Sequence, residues 1–273
     1  MTPTITMENY DGRTVRVARW LSGNDEHPPI LFFNGIGANL ELIAPLAERM
    51  PERDLITFDM PGIGGSPDPA VPYRPWMMAR IADQILDQFA YDHVDVMGVS
   101  WGGAMAQQFA LQCGSRVHKL ILAATTAGML MVPGKFKALS KMADPRRYID
   151  PNYMLKNFKT LYGGGEDGSA GHADRITPPS KMGYFYQLFA MAGWTSAPWL
   201  PLMRPQTLIM MGDDDQIVPV INGKFLASLI PHARLEVIKG GGHLFLVAQA
   251  DHCVTLIREF LDAQEPAEQR KAA

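Results

Sequence analysis

The sequence predicts an α/β fold in which a mostly parallel, doubly wound sheet carries an inserted helical cap. Short apolar runs alternate with helical patterns as far as residue 124 and again from residue 205. Such alternation is typical of parallel strands joined by right-handed helical crossovers. Residues 125–204 lose the alternation but hold too many large apolar side chains to form an unfolded linker. We therefore predict a core of residues 1–124 and 205–273 and a cap of residues 125–204.

The first part of the chain begins with a predicted hairpin, because polarity alternates on both sides of Asp11-Gly12. Continuous apolar runs then indicate buried strands, and a 3.6-residue period indicates helices. The predicted elements are strands Ile5–Asn9, Thr14–Trp20 and Ile30–Phe33, a helix Leu40–Met50 capped by Asn39, strand Leu55–Phe58, helix Pro75–Phe89, strand Val94–Met97, helix Gly103–Gln112 and strand Lys119–Ala123.

The alternation resumes after the predicted cap. The elements there are strand Thr207–Met211, helix Val220–Leu229, strand Arg234–Ile238 and helix Ala250–Leu261. In doubly wound sheets, ligands bind beyond the carboxyl ends of the strands. Loops Asn34–Gly37, Asp59–Ser66 and Gly98–Gly102 each follow a predicted strand, so we expect all three on one rim of the sheet.

The turn around Ser100 is the strongest functional signal in the chain. Glycines stand two residues before and two residues after this serine, between a predicted strand and a predicted helix. A Gly-x-Ser-x-Gly turn in that context is typical of a nucleophile elbow, which raises a serine hydroxyl above the sheet edge. It also places the Trp101 N–H at a helix N-terminus, where it can stabilise a developing negative charge.

Composition excludes several other classes of protein. The 273 residues carry a formal net charge of -3 with 19% charged residues, so no basic surplus favours nucleic acid. No apolar run approaches the roughly 20 residues of a membrane helix, and the N-terminus does not resemble a secretory signal. Cys113 and Cys253 have neither metal spacing nor a pairing pattern, which fits buried thiols in a reducing cytoplasm.

A serine nucleophile needs a histidine base and an acid that orients the base. His243 lies in a glycine-rich loop after the strand ending at Ile238, and therefore on the same rim as Ser100. His232 precedes a strand, and His252 lies on the last helix, so both are weaker candidates. The acid should follow an intervening strand, as Gly212-Asp-Asp-Asp does. Asp215 is favoured, with Asp213 and Asp214 as capping or loop-closing carboxylates.

The oxyanion hole needs a second donor besides the Trp101 N–H. The loop Asn34–Gly37 follows the first long strand, and the Ile36 N–H is its most plausible donor. This loop lacks both the Gly-x-Gly-x-x-Gly pattern and a P-loop lysine, so we predict no cofactor. We also predict no metal site.

These residues together resemble the α/β-hydrolase superfamily from about Ile30 to Leu261. A narrower set of motifs resembles the intracellular poly(3-hydroxyalkanoate) depolymerases that act on medium-chain-length polyester. These motifs are Phe33–Leu42, Gly98–Gly103 with Ala106–Phe109, Met131–Lys135, Pro145–Tyr148, Gly193–Ser196, Gly212–Asp215 and Gly242–Leu246. Asn34 stands where many members of the superfamily have histidine, and the depolymerases share that asparagine.

The resemblance implies a cytoplasmic serine ester hydrolase that cleaves a stored bacterial polyester, or its oligomers, through an acyl-enzyme on Ser100. It also implies a cap whose apolar face meets a granule surface or an acyl side chain. Candidate residues for that contact are Met129, Met131, Phe185, Phe189, Trp194 and Trp199. Ordinary packing of these side chains inside the cap is the competing interpretation.

Other functions stay open at this point. Close alternatives are a carboxylesterase or lipase-like hydrolase of small acyl esters, an acyltransferase and a cofactor-free haloperoxidase-like hydrolase. Dehalogenases and epoxide hydrolases need a carboxylate at position 100 and are therefore disfavoured. A binding or granule-coating protein with a hydrolase fold is the alternative from another class, and the complete set of Ser100, His243 and Asp215 argues against it.

Overall fold

The computed structural model describes residues 1–24, 26–142, 151–164 and 175–264. The Pro145–Tyr148 motif lies outside these ranges. Within them, no helix is long and apolar enough to cross a membrane.

The described strands form one twisted sheet in the order β1-β2-β4-β3-β5-β6-β7-β8. The pairs β1–β2 and β2–β4 are antiparallel, and every later pair is parallel. The predicted α/β class with a mostly parallel sheet is therefore confirmed. The strands are β1 Thr4–Tyr10, β2 Arg13–Trp20, β3 Ile30–Phe33, β4 Leu55–Phe58, β5 Val94–Val99, β6 Val117–Ala123, β7 Gln206–Gly212 and β8 Ala233–Ile238.

Helices cover both faces of this sheet. They are α1 Ala44–Arg49, α2 Pro75–Gln88, α3 Trp101–Gln112, α4 Phe136–Met142, α5 Pro151–Tyr162, α6 Lys181–Met191, α7 Val220–Leu229, α8 Phe245–Ala248 and α9 Ala250–Asp262. One buried cluster joins α2, α3 and α7 to the sheet, and a second joins α1 and α9 to its other face. The apolar runs of the central strands are buried on both sides, as expected for parallel strands between two helical layers.

The segment Leu40–Met50, predicted as one helix, is divided into two elements in the structure. A 3₁₀ turn spans Leu40–Ile43, and an α-helix begins only at Ala44, with Pro45 in its first turn. Proline has no N–H to donate, so it fits a helix start but interrupts a helix that began earlier.

The prediction that Asn39 caps this segment is wrong, because its side chain makes no bond to the following turn's backbone. Instead, the buried Asn39 amide accepts from the Thr177 N–H at 2.9 Å and donates to the Arg175 carbonyl at 2.9 Å. Asn39 therefore ties the segment after β3 to residues near the start of α6.

Helix α6 has the reverse of the usual surface-helix pattern. Its side chains facing the protein are small or polar, namely Gly183, Gln187 and Ala190. Its outward side chains are large and apolar, namely Met182, Phe185, Leu188 and Phe189, each between 44% and 57% exposed. Within the described residues, the helix therefore presents an exposed apolar stripe at the surface instead of burying it.

Candidate active site

Ser100 occupies the sharp turn between β5 and α3. Its backbone has φ 55° and ψ −120°, in a region that non-glycine residues rarely adopt. A Cβ on Gly98 would lie 2.3 Å from the Gly102 carbonyl oxygen, and a Cβ on Gly102 would lie 2.1 Å from that of Phe33. Glycine is therefore required on both sides of Ser100, which accounts for the Gly-x-Ser-x-Gly spacing.

Hydrogen bonds from the main chain and one side chain hold this turn. The Ser100 N–H donates to the Ala123 carbonyl at 2.9 Å. The Thr125 hydroxyl donates to the Ser100 carbonyl at 2.7 Å. These bonds fix the backbone, and Ser100 itself faces a cavity at the carboxyl ends of the strands.

A continuous hydrogen-bonded path runs from Ser100 through His243 to Asp215. The Nε2 atom of His243 lies 3.0 Å from the Ser100 Oγ, and its Nδ1 lies 2.7 Å from Asp215 Oδ2. The carboxylate is buried, and its other oxygen accepts the N–H groups of Ile217 and Val218 at 2.8 and 2.9 Å. Both carboxylate oxygens of Asp215 therefore have hydrogen-bond partners, which fix the orientation of this side chain. In that orientation, Asp215 can hold the imidazole of His243 with Nε2 toward Ser100.

The neighbouring aspartates have other partners. Asp213 accepts the Gly240 N–H at 2.6 Å. Asp214 accepts the Gly164 N–H at 2.9 Å and the Gln216 side-chain amide at 2.7 Å. Both therefore brace loops around the site, and the structure brings only Asp215 of the three to His243.

The loop that carries His243 rests against the end of α5. The His243 N–H donates to the Tyr162 carbonyl at 2.5 Å, and the two rings stack with centroids 6.5 Å apart. A Cβ on Gly242 would lie 2.4 Å from the Gly163 carbonyl carbon. Sequence reasoning missed Tyr162, because its contact with residue 243 spans the predicted cap and β7–β8, and its only local signal is the run of three glycines that follows it.

The proposed oxyanion-hole residues lie on either side of Ser100. A Cβ on Gly35 would lie 3.9 Å from the Ser100 Cβ, and Ile36 lines the same cavity as Ser100. Trp101 begins helix α3, so its N–H is at the positive end of that helix. The Asn34 amide donates to the Asn39 carbonyl at 2.8 Å and thereby closes the loop.

The cavity beside Ser100 is mainly apolar and has a volume of about 350 Å³. This volume lies at the lower end of the range of about 300–1,000 Å³ that is typical of small-molecule sites. It extends between α1 and the α8–α9 segment, with Glu48 and Arg49 also in its lining. Its aliphatic lining includes Leu42, Leu46, Leu246, Val247, Ala250 and Val254.

The six cap residues predicted to meet substrate, all of them described, do not line this cavity. Trp194 is half-buried against the core. The other five are between 39% and 64% exposed: Met129, Met131, Phe185, Phe189 and Trp199.

The remaining histidine and cysteine candidates lie elsewhere. The His232 carbonyl accepts the Thr207 N–H at the amino end of β7, on the opposite rim, and His252 is exposed on α9. Burial raises the pKa of both Cys113 and Cys253 to about 12, so neither thiol ionises at neutral pH. Both are free thiols.

Known proteins are similar to this chain in sequence and in fold. A family model described as the α/β hydrolase fold matches residues 28–162 and 167–248. Poly(3-hydroxyalkanoate) depolymerase of Ectopseudomonas oleovorans is 45% identical to this chain, over 96% of this chain and 92% of that protein.

Solved structures share the fold at low identity. An esterase from Exiguobacterium antarcticum matches with a TM-score of 0.81 and 24% identity, over 96% of this chain and all of that one. A hydrolase from Pseudomonas aeruginosa matches with a TM-score of 0.77 and 20% identity, over 95% and 98% of the two chains.

The three adjacent aspartates allow a matched test of the site. We predict that Asp215→Asn lowers kcat for a p-nitrophenyl ester by about 10,000-fold, because an amide at this position favours the wrong imidazole tautomer. Asp213→Asn and Asp214→Asn should change kcat far less, since their carboxylates only brace loops. Steady-state kinetics of the three variants measures this. An equal loss in all three would contradict the assignment of Asp215.

Proposed function

The chain belongs to the α/β-hydrolase fold family and, within it, to the family of poly(3-hydroxyalkanoate) depolymerase, and we propose that it is a serine hydrolase of medium-chain-length polyester or its oligomers. The observation that carries this proposal is the hydrogen-bonded path from Asp215 to Ser100, which ends at an apolar cavity. The similarity over 96% of the chain, cap included, supports a polymeric ester as the substrate.

In the proposed mechanism, His243 removes the Ser100 proton while Oγ attacks the carbonyl carbon of an ester link. The N–H groups of Ile36 and Trp101 stabilise the resulting oxyanion. His243 then gives its proton to the departing 3-oxygen of the next unit, which leaves as a chain end. Water activated by His243 hydrolyses the acyl-enzyme and releases a 3-hydroxy acid. Asp215 stabilises the imidazolium without taking its proton.

Hydrolysis of polymer and small ester in parallel tests this proposal. We expect the wild type to clear amorphous poly(3-hydroxyoctanoate) and to cleave p-nitrophenyl octanoate. Ser100→Ala should lose both activities by at least about 1,000-fold, because removing the nucleophile leaves only residual catalysis. Ser228→Ala, at an exposed serine on α7, is the control and should match the wild type. Poly(3-hydroxybutyrate) is the short-chain comparison.

A carboxylesterase of small acyl esters is the second candidate. The cavity volume of about 350 Å³ favours it, because such a volume holds a single short acyl group rather than a polymer strand. Cleavage of p-nitrophenyl octanoate without clearing of either polymer would select this alternative and overturn the depolymerase assignment.

We propose that the aliphatic end of the cavity receives the alkyl part of the acyl unit. Val247→Phe should narrow it and lower the ratio of kcat/KM for p-nitrophenyl octanoate over p-nitrophenyl butyrate by roughly 10- to 200-fold, since excluded methylenes lose their burial. Val71→Phe, at an exposed loop valine, makes the same change elsewhere and should leave the ratio unaltered. An unchanged ratio in Val247→Phe would place the alkyl chain elsewhere.

We further propose that the apolar stripe of α6, together with the exposed Trp199, meets the surface of a polyester granule in the cytoplasm. Phe185 and Phe189 stack at 6.5 Å, and the Arg74 guanidinium lies 5.7 Å from the Phe189 ring. Polyester offers alkyl groups and ester carbonyl acceptors but no donors. Exposed aromatic side chains and the indole N–H of Trp199 suit such a surface.

A double substitution separates surface binding from chemistry. Phe185→Ser with Phe189→Ser should slow polymer clearing by about 10-fold or more, because each buried phenylalanine contributes ~1.5–3 kcal/mol. Hydrolysis of p-nitrophenyl octanoate should stay unchanged. Ile221→Ser with Phe225→Ser is the matched control, being an exposed apolar pair at the same spacing on core helix α7. Equal slowing by both pairs would contradict a specific role for α6.

A further inference from the structure

Gln187 contacts Trp101, one proposed oxyanion donor, and Gly37, the residue that follows the other proposed donor, Ile36. Its side-chain Oε1 accepts the Gly37 N–H at 2.7 Å. Its main-chain carbonyl accepts the indole Nε1–H of Trp101 at 3.0 Å. Gln187 itself is fully buried on the inner face of α6. A single residue of the predicted cap thus reaches both the loop after β3 and the start of α3.

One contact holds the residue after the proposed donor Ile36, and the other holds the side chain of the proposed donor Trp101. Gly37 directly follows Ile36 and has φ 69°, so the loop here takes a backbone shape that few other residues adopt. Its N–H is donated to Gln187, and a buried N–H without a partner would favour another arrangement of the loop. The Trp101 ring is fixed by the second contact, and with it the first residue of α3.

The hydrogen bonding of the Gln187 side chain indicates that its oxygen is required as an acceptor for the Gly37 N–H. Among the described residues, the buried Nε2 of Gln187 has no hydrogen-bond partner. Leaving a buried donor unsatisfied destabilises the folded state, and an aliphatic side chain of similar size would avoid this cost. Packing alone therefore does not explain a glutamine here, whereas an acceptor for the Gly37 N–H does.

We propose that Gln187 is a positioning residue that holds the oxyanion hole in its working shape from the cap. This rests on the proposed ester hydrolysis at Ser100, but it applies equally to polymer and small esters. A hole that is less well formed stabilises the tetrahedral intermediate poorly, while the bound ester is little affected. The expected consequence is a loss in kcat rather than a rise in KM.

The test compares Gln187→Leu with Gln187→Glu on p-nitrophenyl octanoate. Gln187→Leu removes the acceptor, and we expect kcat to fall by roughly 10- to 1,000-fold with KM nearly unchanged, as for loss of one oxyanion donor. Gln187→Glu keeps an oxygen acceptor in a side chain of the same length and should recover most of this loss. Gln112→Leu, at an exposed glutamine on α3, is the control and should behave as the wild type.

Inhibitor binding provides a readout that a general structural defect would not reproduce. Octylboronic acid forms a tetrahedral adduct with a serine and places an oxygen in the oxyanion hole, whereas 3-hydroxyoctanoate binds as a ground-state product. Gln187→Leu should weaken the boronic acid by about the same factor as kcat/KM and leave the affinity for 3-hydroxyoctanoate within about twofold. Equal weakening of both ligands, or full activity in Gln187→Leu, would overturn the proposal.

Trp101→Phe keeps the outcome decisive if Gln187→Leu does not fold. It removes the indole donor and leaves the main-chain N–H of residue 101 in place. We expect the same selective loss of boronic acid affinity, and equal weakening of the two ligands would again contradict the proposal. Because every measurement uses a small ester or a small inhibitor and none uses polymer, failure of the polymer assignment would not affect this result, and failure here would not affect the polymer assignment.

Discussion

The strained turn at Ser100 is the constraint on which the rest of the molecule depends. A serine at φ 55° is stable only if the surrounding structure determines it, and here three backbone segments converge on it. The end of β5, the first turn of α3 and the carbonyls after β3 approach so closely that neither Gly98 nor Gly102 has room for a side chain. The order of the central strands, β4-β3-β5-β6, supplies this convergence by placing β3 beside β5.

Residues of the predicted cap bond directly to segments of the proposed active site. The Tyr162 carbonyl accepts the N–H of His243, and Gln187 accepts the N–H of Gly37. The proposed base, His243, and the proposed oxyanion loop therefore both take support from residues that lie between β6 and β7 in the chain. The same helix, α6, carries the apolar stripe on its outer face. Helix α6 thus links the surface proposed to meet polymer with the backbone that surrounds the serine.

Sequence reasoning was strongest where one segment contains all the information. The alternation of strands and helices and the turn around Ser100 are local patterns, and the α/β class they predicted is confirmed. It was weakest where distant residues meet. The sequence predicts a local cap at Asn39, but this residue bonds to residues 175 and 177. The sequence has no local signal for Gln187, because its partners lie 86 and 150 positions away. The apolar period of α6 also does not reveal which face of the helix is buried. The large apolar side chains lie on the outer face, whereas the inner face carries glycine, glutamine and alanine.

Two glycine contacts join the predicted cap to the core at the level of the backbone. A Cβ on Gly183 would lie 2.2 Å from the Gly62 carbonyl oxygen, and a Cβ on Gly242 would lie 2.4 Å from Gly163. In both pairs one glycine belongs to the cap and the other to the core. The predicted cap of this protein is thus not an interchangeable module. A chimera that receives the cap of another protein keeps only the core glycine of each pair. A functional chimera therefore also has to take the facing core loops from the protein that supplies the cap.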